Sequence, residues 1–145
     1  MNRAGLCAFI NQQRYGVVSS TAINGAPQSA LVGIAATASL EIIFDTVTSS
    51  RKYRNLVQRP VCSLVVGWSG EQTFQLEGIA HEPQGESLKY LQDVYFALWP
   101  ECRVHLSWPG IAYFVVHPEW LRYTDYDQEP VLIQEVVKQS LARDF

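Results

Sequence analysis

The residues best suited to chemistry in this sequence are four consecutive polar side chains, Ser49-Ser50-Arg51-Lys52. They follow an apolar segment that indicates a β-strand ending at Asp45-Thr46, and helix-tolerant residues come after them. A helix that begins here would present unpaired N–H groups and the positive end of its dipole. With a guanidinium and an ammonium group beside it, such a helix start suits a phosphate dianion, because charge-assisted hydrogen bonds to phosphate are strong. An ordinary capped helix with solvated charges is the alternative interpretation.

No other group of residues points to a catalytic or metal site. His81, His105 and His117 are scattered along the chain. We expect each to be a surface or structural histidine, since none has an evident Cys or carboxylate partner at metal-ligand spacing. The nucleophile-elbow, P-loop and HExxH motifs are missing as well. The sequence therefore predicts no metal site and identifies no general acid or base.

The three cysteines predict reduced thiols rather than disulfides. Cys7, Cys62 and Cys102 are an odd number without metal-like spacing, which is typical of a cytoplasmic protein. Cys62 lies in an apolar segment, where a thiol is expected to be an inert core residue. No signal peptide is recognisable at the start of the sequence, so we expect a cytoplasmic location.

Composition excludes several classes of function. The net charge is −3, and the chain shows no basic stripe of the kind that nucleic-acid binders carry. No apolar run approaches the roughly 20 residues that cross a bilayer. Charged residues make up only 17% of the 145 residues, while four Trp and seven Tyr are present. Few charges and many aromatic rings favour a surface that a partner or a ligand covers.

The order of predicted elements indicates a mainly β protein, an antiparallel barrel with peripheral helices. About seven strands are predicted, at Tyr15–Thr21, Ser29–Ile34, Glu41–Asp45, Val61–Trp68, Thr73–Ala80, Ile111–Val116 and Trp120–Tyr123. Helices are predicted over residues 1–14, over Ser49–Val57 with capping residues at its start, over Glu86–Leu98 and over the tail Val131–Leu141. Asn24-Gly25 predicts a tight hairpin turn, and Pro118 is expected to interrupt the last two strands. The strands lie too close together for βαβ crossovers, so residues 1–145 are interpreted as one domain.

Taken in order, these pieces resemble the pyridoxamine 5′-phosphate oxidase-like family of FMN-binding split barrels, which have an antiparallel Greek-key fold. The resemblance covers residues 5–125. The segments that carry it are Tyr15–Thr21, Asn24–Ser29, Ile42–Thr46, Ser50–Lys52 with Asn55-Leu56 and Pro60, and Trp68 leading to Glu77-Gly78.

The resemblance implies a cofactor site. Ser50, Arg51 and Lys52 fall where the family grips the FMN phosphate. Phe44 and Asp45 fall where a strand meets the flavin ring and the ribityl chain.

Further implied contacts involve the flavin ring. Val32, Gly33 and Ile34 match the strand under the isoalloxazine, where a glycine would let the flat ring approach the backbone. The remaining implied residues are Gln72 or Thr73, one of which approaches the ring, and Trp68, Trp120 and Arg122, expected from a second subunit.

The resemblance implies a homodimer with FMN at the subunit interface, acting as a flavin-dependent oxidoreductase on an unidentified small molecule. The alternative is a non-catalytic carrier or sensor of the same fold that binds flavin, deazaflavin or haem. Ser29 and Ile34 stand where true pyridoxamine phosphate oxidases have basic residues. The family's C-terminal Arg-x-His pair is also missing, so oxidation of pyridoxamine phosphate is not expected.

Overall fold

Eight β-strands form one antiparallel sheet in this computed structural model, which describes residues 1–145. The strands are β1 (Tyr15–Thr21), β2 (Pro27–Gly33), β3 (Ala35–Ala36), β4 (Ile42–Val47), β5 (Val61–Val66), β6 (Gln72–His81), β7 (Ile111–Asp125) and β8 (Leu132–Val137). The helices are α1 (Arg3–Gln13), α2 (Arg51–Gln58), α3 (Gly85–Leu98) and the short α4 (Lys138–Leu141), with a 3₁₀ helix over Pro100–Ser107. None of these helices has the length and apolar content needed to cross a bilayer. The expected antiparallel barrel with peripheral helices is confirmed.

The sheet curls into a barrel that stays open between β2 and β4. Hydrogen-bonded neighbours follow the order β2-β1-β5-β6-β7-β4-β3. The long strand β7 pairs with β6 along one edge. Along its other edge it pairs with β4 through Ile111–Val116 and with β8 through Trp120–Asp125. Strands β2 and β4 approach each other without a hydrogen-bonded ladder, so the barrel is split at this point.

Two apolar cores lie on the two faces of β4. Successive strand residues point to opposite faces, so Phe44 packs inside the barrel with Phe74, Phe114 and Tyr123. Asp45 points the other way, toward α3 and the 3₁₀ helix. The second core fills the space between that layer and the sheet, and its larger members are Ile43, Leu91, Tyr95, Phe96, Trp99, Tyr113 and Val115. Asp45 is therefore a carboxylate at the edge of an otherwise apolar layer.

Pro118 does not divide the chain into two strands as expected, because it lies at a bulge within the continuous strand β7. Gly78 pairs with Pro118 and Glu77 with Trp120, so the register shifts by one residue at this point. A proline has no N–H to donate, and a bulge is one of the few places in a sheet that tolerate it. The pairing to β4 also ends at Val116, so no neighbouring strand on that edge needs the missing donor.

The helix predicted for Val131–Leu141 is wrong over most of its length. Residues Leu132–Val137 form β8, and only the single turn Lys138–Leu141 is helical. The segment contains Val131, Ile133, Val136 and Val137, whose branched side chains favour strands. The second half of β7 would otherwise leave an unpaired edge, and β8 covers that edge. Pairing with β7 therefore outweighs the helical spacing of the apolar residues in this segment.

Gly78 provides a test of the bulge. A Cβ at this position would lie 2.4 Å from the His117 carbonyl oxygen and 2.8 Å from Val116 Cγ1. We expect Gly78→Ala to lower the free energy of unfolding by about 1–3 kcal/mol, since the contacts are largely with backbone. Urea denaturation at one fixed protein concentration would measure the change.

Gly16→Ala is the matched control. Its Cβ would meet side chains alone, Ile34 at 3.2 Å and Val66 at 3.5 Å, so we expect a change below about 1 kcal/mol. Equal effects of the two substitutions would contradict the role assigned to the bulge.

Candidate functional site

Arg51 and Lys52 line a polar cleft at the end of the barrel. The cleft has a volume of about 170 Å³, and its other lining residues are Ser20, Gln28, Ser29 and Ala30. Its walls therefore offer a guanidinium, an ammonium, two hydroxyls and an amide, and no lining residue is a carboxylate. Such a set of donors is complementary to a phosphate or another small anion.

Ser50 fixes where the two cations stand. It is the N-cap of α2, and its Oγ accepts a hydrogen bond from the Tyr53 backbone N–H at 3.2 Å. The same Oγ lies 2.8 Å from Thr46 Oγ1 at the end of β4. The predicted capped helix start is confirmed. The Ser50 hydroxyl is engaged within the chain, so Ser50 orients Arg51 and Lys52 and does not itself line the cleft.

Asn55 ties α2 to the β1–β2 hairpin below the cleft. Its buried amide donates to Ser20 Oγ at 3.0 Å and to Gln28 Oε1 at 2.9 Å. Ser20 and Gln28 are cross-strand partners in the hairpin, so one amide positions both polar residues. Sequence reasoning missed these two residues. A two-residue turn at Asn24-Gly25 would place Ser20 opposite Ser29, so counting the register from the sequence would not have found this pair. In the structure the loop is one residue longer, which brings Gln28 opposite Ser20.

The charge of Lys52 responds to its surroundings. Partial burial lowers the pKa of its ammonium group, and the nearby carboxylate of Asp45 opposes that effect. A dianion bound in the cleft would favour the protonated form of Lys52. Anion binding and protonation of Lys52 therefore support each other.

The side chains of Phe44 and Asp45 lie on opposite sides of β4 and have different contacts. The Phe44 ring is fully buried inside the barrel, so its side chain is not available to a ligand. Asp45 Oδ2 lies 2.7 Å from Nδ1 of His105 on the 3₁₀ helix. The His105 ring in turn packs on Trp108, with ring centroids 4.0 Å apart. The Asp45 carboxylate therefore forms a hydrogen bond with the outer helical layer. It also lies near Lys52.

The structure shows which contacts the residues implied under the flavin ring make within the chain. Val32 and Ile34 point their side chains into the barrel core. Both backbone polar groups of Ile34 are also occupied, since its N–H donates to the Arg14 carbonyl and its carbonyl accepts from Trp99 Nε1. A Cβ at Gly33 would lie 2.9 Å from Trp99 Cζ2. The absence of a side chain at Gly33 therefore leaves room for the indole ring of Trp99.

The other implied ring contacts lie away from the cleft. The register places Val17, Val65 and Gln75 in one row, and Gln72, Thr73 and Trp68 lie beyond it, toward the Tyr15 end of β1. The cleft is at the Ser20 end, roughly 17 Å along the strand from Tyr15.

Trp120 and Arg122 stand on the outer face of β7, between those two ends. Arg122 forms an ion pair with Glu135 on β8, with 3.4 Å between Nη1 and Oε1. No single chain brings all the implied cofactor residues together.

Two histidines have carboxylate partners that the sequence spacing did not reveal. His105 pairs with Asp45, and His117 Nδ1 lies 2.9 Å from Glu41 Oε1. The expectation that the histidines have no such partners is therefore wrong. Cys102 also lies beside His105 and Asp45, with the potential ligand atoms of all three within 4.8 Å of one another. The spacing Cys102-x-x-His105 was the available signal, since residues three apart share a face of a 3₁₀ helix.

The cysteines are free thiols, as predicted. Cys62 is buried in the barrel, and burial raises the pKa of its thiol to about 12. Cys7 is half-buried beside a cavity of about 510 Å³ between α1 and the C-terminus. That cavity is larger than the cleft, but Arg3, its one cationic lining residue, already donates to the carbonyls of Leu141 and Arg143.

Comparison with known proteins identifies a family. The profile of the family described as pyridoxamine 5′-phosphate oxidase matches residues 5–125. A sequence comparison with curated proteins gave no match.

Several solved structures share the fold. A haem-binding protein from Mycobacterium smegmatis aligns with a TM-score of 0.79 and 14% identity, over 97% of this chain and 60% of its own. A pyridoxamine 5′-phosphate oxidase-related, FMN-binding protein from Nostoc punctiforme aligns with a TM-score of 0.74 and 15% identity, over 98% and 92%. A Clostridium acetobutylicum protein related to general stress protein 26 aligns with a TM-score of 0.72 and 14% identity, over 96% of both chains. At these identities the likeness shows a common fold, and this chain spans under two thirds of the haem-binding protein.

The link between α2 and the hairpin can be tested by removing the Asn55 amide. We expect Asn55→Ala to lower the free energy of unfolding by about 1–3 kcal/mol, because two hydrogen bonds to Ser20 and Gln28 are lost. Gln58→Ala on the exposed end of the same helix should change it by less than about 0.5 kcal/mol. If chemical denaturation gave the same small change for both variants, the proposed link would be refuted.

Proposed function

Because this chain belongs to the pyridoxamine 5′-phosphate oxidase family, we propose that it binds FMN at the interface of a homodimer and acts as a flavin-dependent oxidoreductase. The observation that carries the proposal is the cleft in which Arg51 and Lys52 face Ser20, Gln28 and Ser29. Two positive charges, several neutral donors and no carboxylate are what a phosphate monoester requires.

The cleft gains selectivity for a phosphate from its position at a helix start. Unpaired N–H groups and the helix dipole act near the first turn of α2, in the same place as the two cations. Each charge-assisted hydrogen bond is worth about 1.5–3 kcal/mol. The phosphate is therefore the part of FMN that this chain would bind most strongly by itself.

The size of the cleft supports a shared site. Its volume of about 170 Å³ is below the roughly 300–1,000 Å³ of typical small-molecule pockets. The phosphate fits into this space, while the isoalloxazine ring needs a larger apolar surface. A second copy of the chain is the natural source of that surface, since Trp68, Gln72, Trp120 and Arg122 lie outside the cleft.

The outer face of the sheet suits such a partner. One row across the strands contains Leu31, Val17 and Val65, and the next contains Ser29, Ser19 and Ser63. Leu31 is 64% exposed, and the first row faces solvent without a covering helix. A shallow groove of about 260 Å³ beside Trp120 continues this face. An exposed apolar row with few charges is typical of a homodimer interface.

Bound FMN would supply hydride or electron transfer, and the protein would bind and orient it. Arg51 and Lys52 would anchor the phosphate, and Ser20, Gln28 and Ser29 would complete the anion site. Ser29 and Ile34 provide no positive charge for a second phosphate. We therefore propose a substrate other than pyridoxamine 5′-phosphate.

Haem binding without turnover is the second candidate, because the Mycobacterium smegmatis structure with this fold is a haem-binding protein. His81 and His117 lie with ring centroids 4.9 Å apart and are accessible. The anion cleft has no evident role in that function. An absorbance spectrum of the purified protein separates the two, since flavin and haem have distinct bands, and mass spectrometry of the released ligand separates flavin from deazaflavin.

The phosphate site is tested by Arg51→Ala combined with Lys52→Ala. We expect the affinity for FMN, measured by quenching of flavin fluorescence, to fall at least about 100-fold, since two charge-assisted contacts are lost. Affinity for riboflavin, which lacks the phosphate, should change little. The wild type should therefore prefer FMN strongly, and the variant should bind both flavins alike.

Lys89→Ala combined with Arg143→Ala is the control, because it removes the same charge from exposed positions far along the chain. FMN affinity should stay at the wild-type value. Unchanged preference for FMN in the Arg51/Lys52 variant would overturn the phosphate site, whatever the spectrum of the purified protein.

The dimer is tested by light scattering coupled to size exclusion. We expect the wild type at twice the chain mass of 16.4 kDa, and Leu31→Arg as a folded monomer, because a charge on the apolar row would be buried without a partner. Val57→Arg, at an exposed position on α2, should remain a dimer. A monomeric wild type, or a Leu31→Arg dimer, would contradict the shared site.

A further inference from the structure

A cluster of three potential metal ligands lies on the far side of β4 from the barrel core. Asp45 belongs to β4, and Cys102 and His105 belong to the 3₁₀ helix over Pro100–Ser107. A carboxylate oxygen, the Cys102 sulfur and a His105 ring nitrogen all lie within 4.8 Å of one another. Cys102 is buried, whereas Asp45 and His105 are partly accessible, so the cluster opens to solvent on one side.

We propose that Asp45, Cys102 and His105 bind a zinc ion. Zn²⁺ takes thiolate, imidazole and carboxylate ligands in tetrahedral geometry. Three protein ligands leave one coordination position open, which is typical of sites that bind water or a substrate rather than purely structural sites. The mixed ligand set favours Zn²⁺ over Mg²⁺ or Ca²⁺, which prefer oxygen ligands alone.

The fold positions the three ligands from two separate elements. Cys102 and His105 are three residues apart, and a 3₁₀ helix has three residues per turn, so both side chains point from the same face. The ring of Trp108, stacked 4.0 Å from His105, restricts its orientation. Asp45 is held by its strand pairing with Tyr113 on β7. The geometry therefore comes from the backbone of two separate elements rather than from one mobile loop.

A buried hydroxyl beside the cluster supports the same conclusion. Tyr113 is only 4% exposed, and its hydroxyl makes no hydrogen bond within the chain. Buried polar atoms without partners are uncommon and call for an explanation. Tyr113 is the cross-strand neighbour of Asp45, and a water on the open position of a metal would offer its hydroxyl a partner.

A purely structural hydrogen bond is the competing interpretation. Asp45 Oδ2 and His105 Nδ1 already lie 2.7 Å apart, and a metal would have to come between these atoms and draw in the Cys102 sulfur. The competing interpretation explains the Asp45–His105 contact, and it also accounts for the Cys102 thiol, which contacts the Tyr95 hydroxyl. It leaves the Tyr113 hydroxyl without a role. It also predicts no affinity for metal, so the two interpretations can be separated.

The experiment uses the full chain, stripped of metal with a chelator and kept reduced with a non-thiol reductant. Titration with Co²⁺ should give a thiolate-to-cobalt charge-transfer band that saturates at one ion per chain, and Zn²⁺ should abolish it by displacement. Cys102→Ser and His105→Gln should each weaken Zn²⁺ binding at least about 100-fold. Circular dichroism would show whether each variant is folded.

Cys7→Ser and His81→Ala are the matched controls, since they remove a thiol and an imidazole outside the cluster. Both should retain the cobalt band. The proposal is overturned if the wild type shows no thiolate–cobalt band, or if folded Cys102→Ser keeps it. Since the titration uses protein free of flavin, its outcome is independent of the proposed FMN site.

Discussion

The start of helix α2 at Ser50 is the constraint on which the candidate site depends. The Ser50 hydroxyl contacts both the end of β4, at Thr46, and the first turn of the helix, at the Tyr53 N–H. Arg51 and Lys52 are the next two residues of the chain, so the direction of their side chains depends on where β4 ends. Asn55 then fixes the other side of the cleft by bonding the hairpin. These contacts hold the backbone on both sides of the cleft that Arg51 and Lys52 line.

Successive side chains of strand β4 point to opposite faces, so an apolar residue and a charged residue lie on different sides of it. Phe44 points into the barrel, while Asp45 points toward the outer helical layer and pairs with His105. The carboxylate acts on Lys52 as well, so Asp45 connects the cluster to the cleft without lining the cleft. Loss of the Asp45 charge would therefore alter both places. The outer helical layer therefore covers the second core and also supplies a partner for the Asp45 carboxylate.

Local signals in the sequence predicted local structure well. The Asn24-Gly25 turn and the capping residues before α2 each act within a few residues, and the structure has a hairpin and a capped helix start there. The failures involve distant partners. The strand at Leu132–Val137 forms because β7 offers a free edge, and Pro118 is tolerated because it lies at a bulge opposite Gly78. The local sequence around these residues does not indicate which distant residues they will contact.

The implied cofactor residues are divided between the two ends of the barrel within one chain, which supports the proposal of a second copy. Arg51 and Lys52 are at the Ser20 end of β1, while Trp68, Gln72 and Thr73 are at the Tyr15 end. Trp120 and Arg122 lie between them, on a face whose exposed row contains Leu31. A ligand anchored in the cleft of one chain cannot also be enclosed by that chain's distant residues. In the proposed symmetric pair, a two-fold axis that runs across the strands would reverse their direction and bring the far residues of each chain toward the cleft of the other.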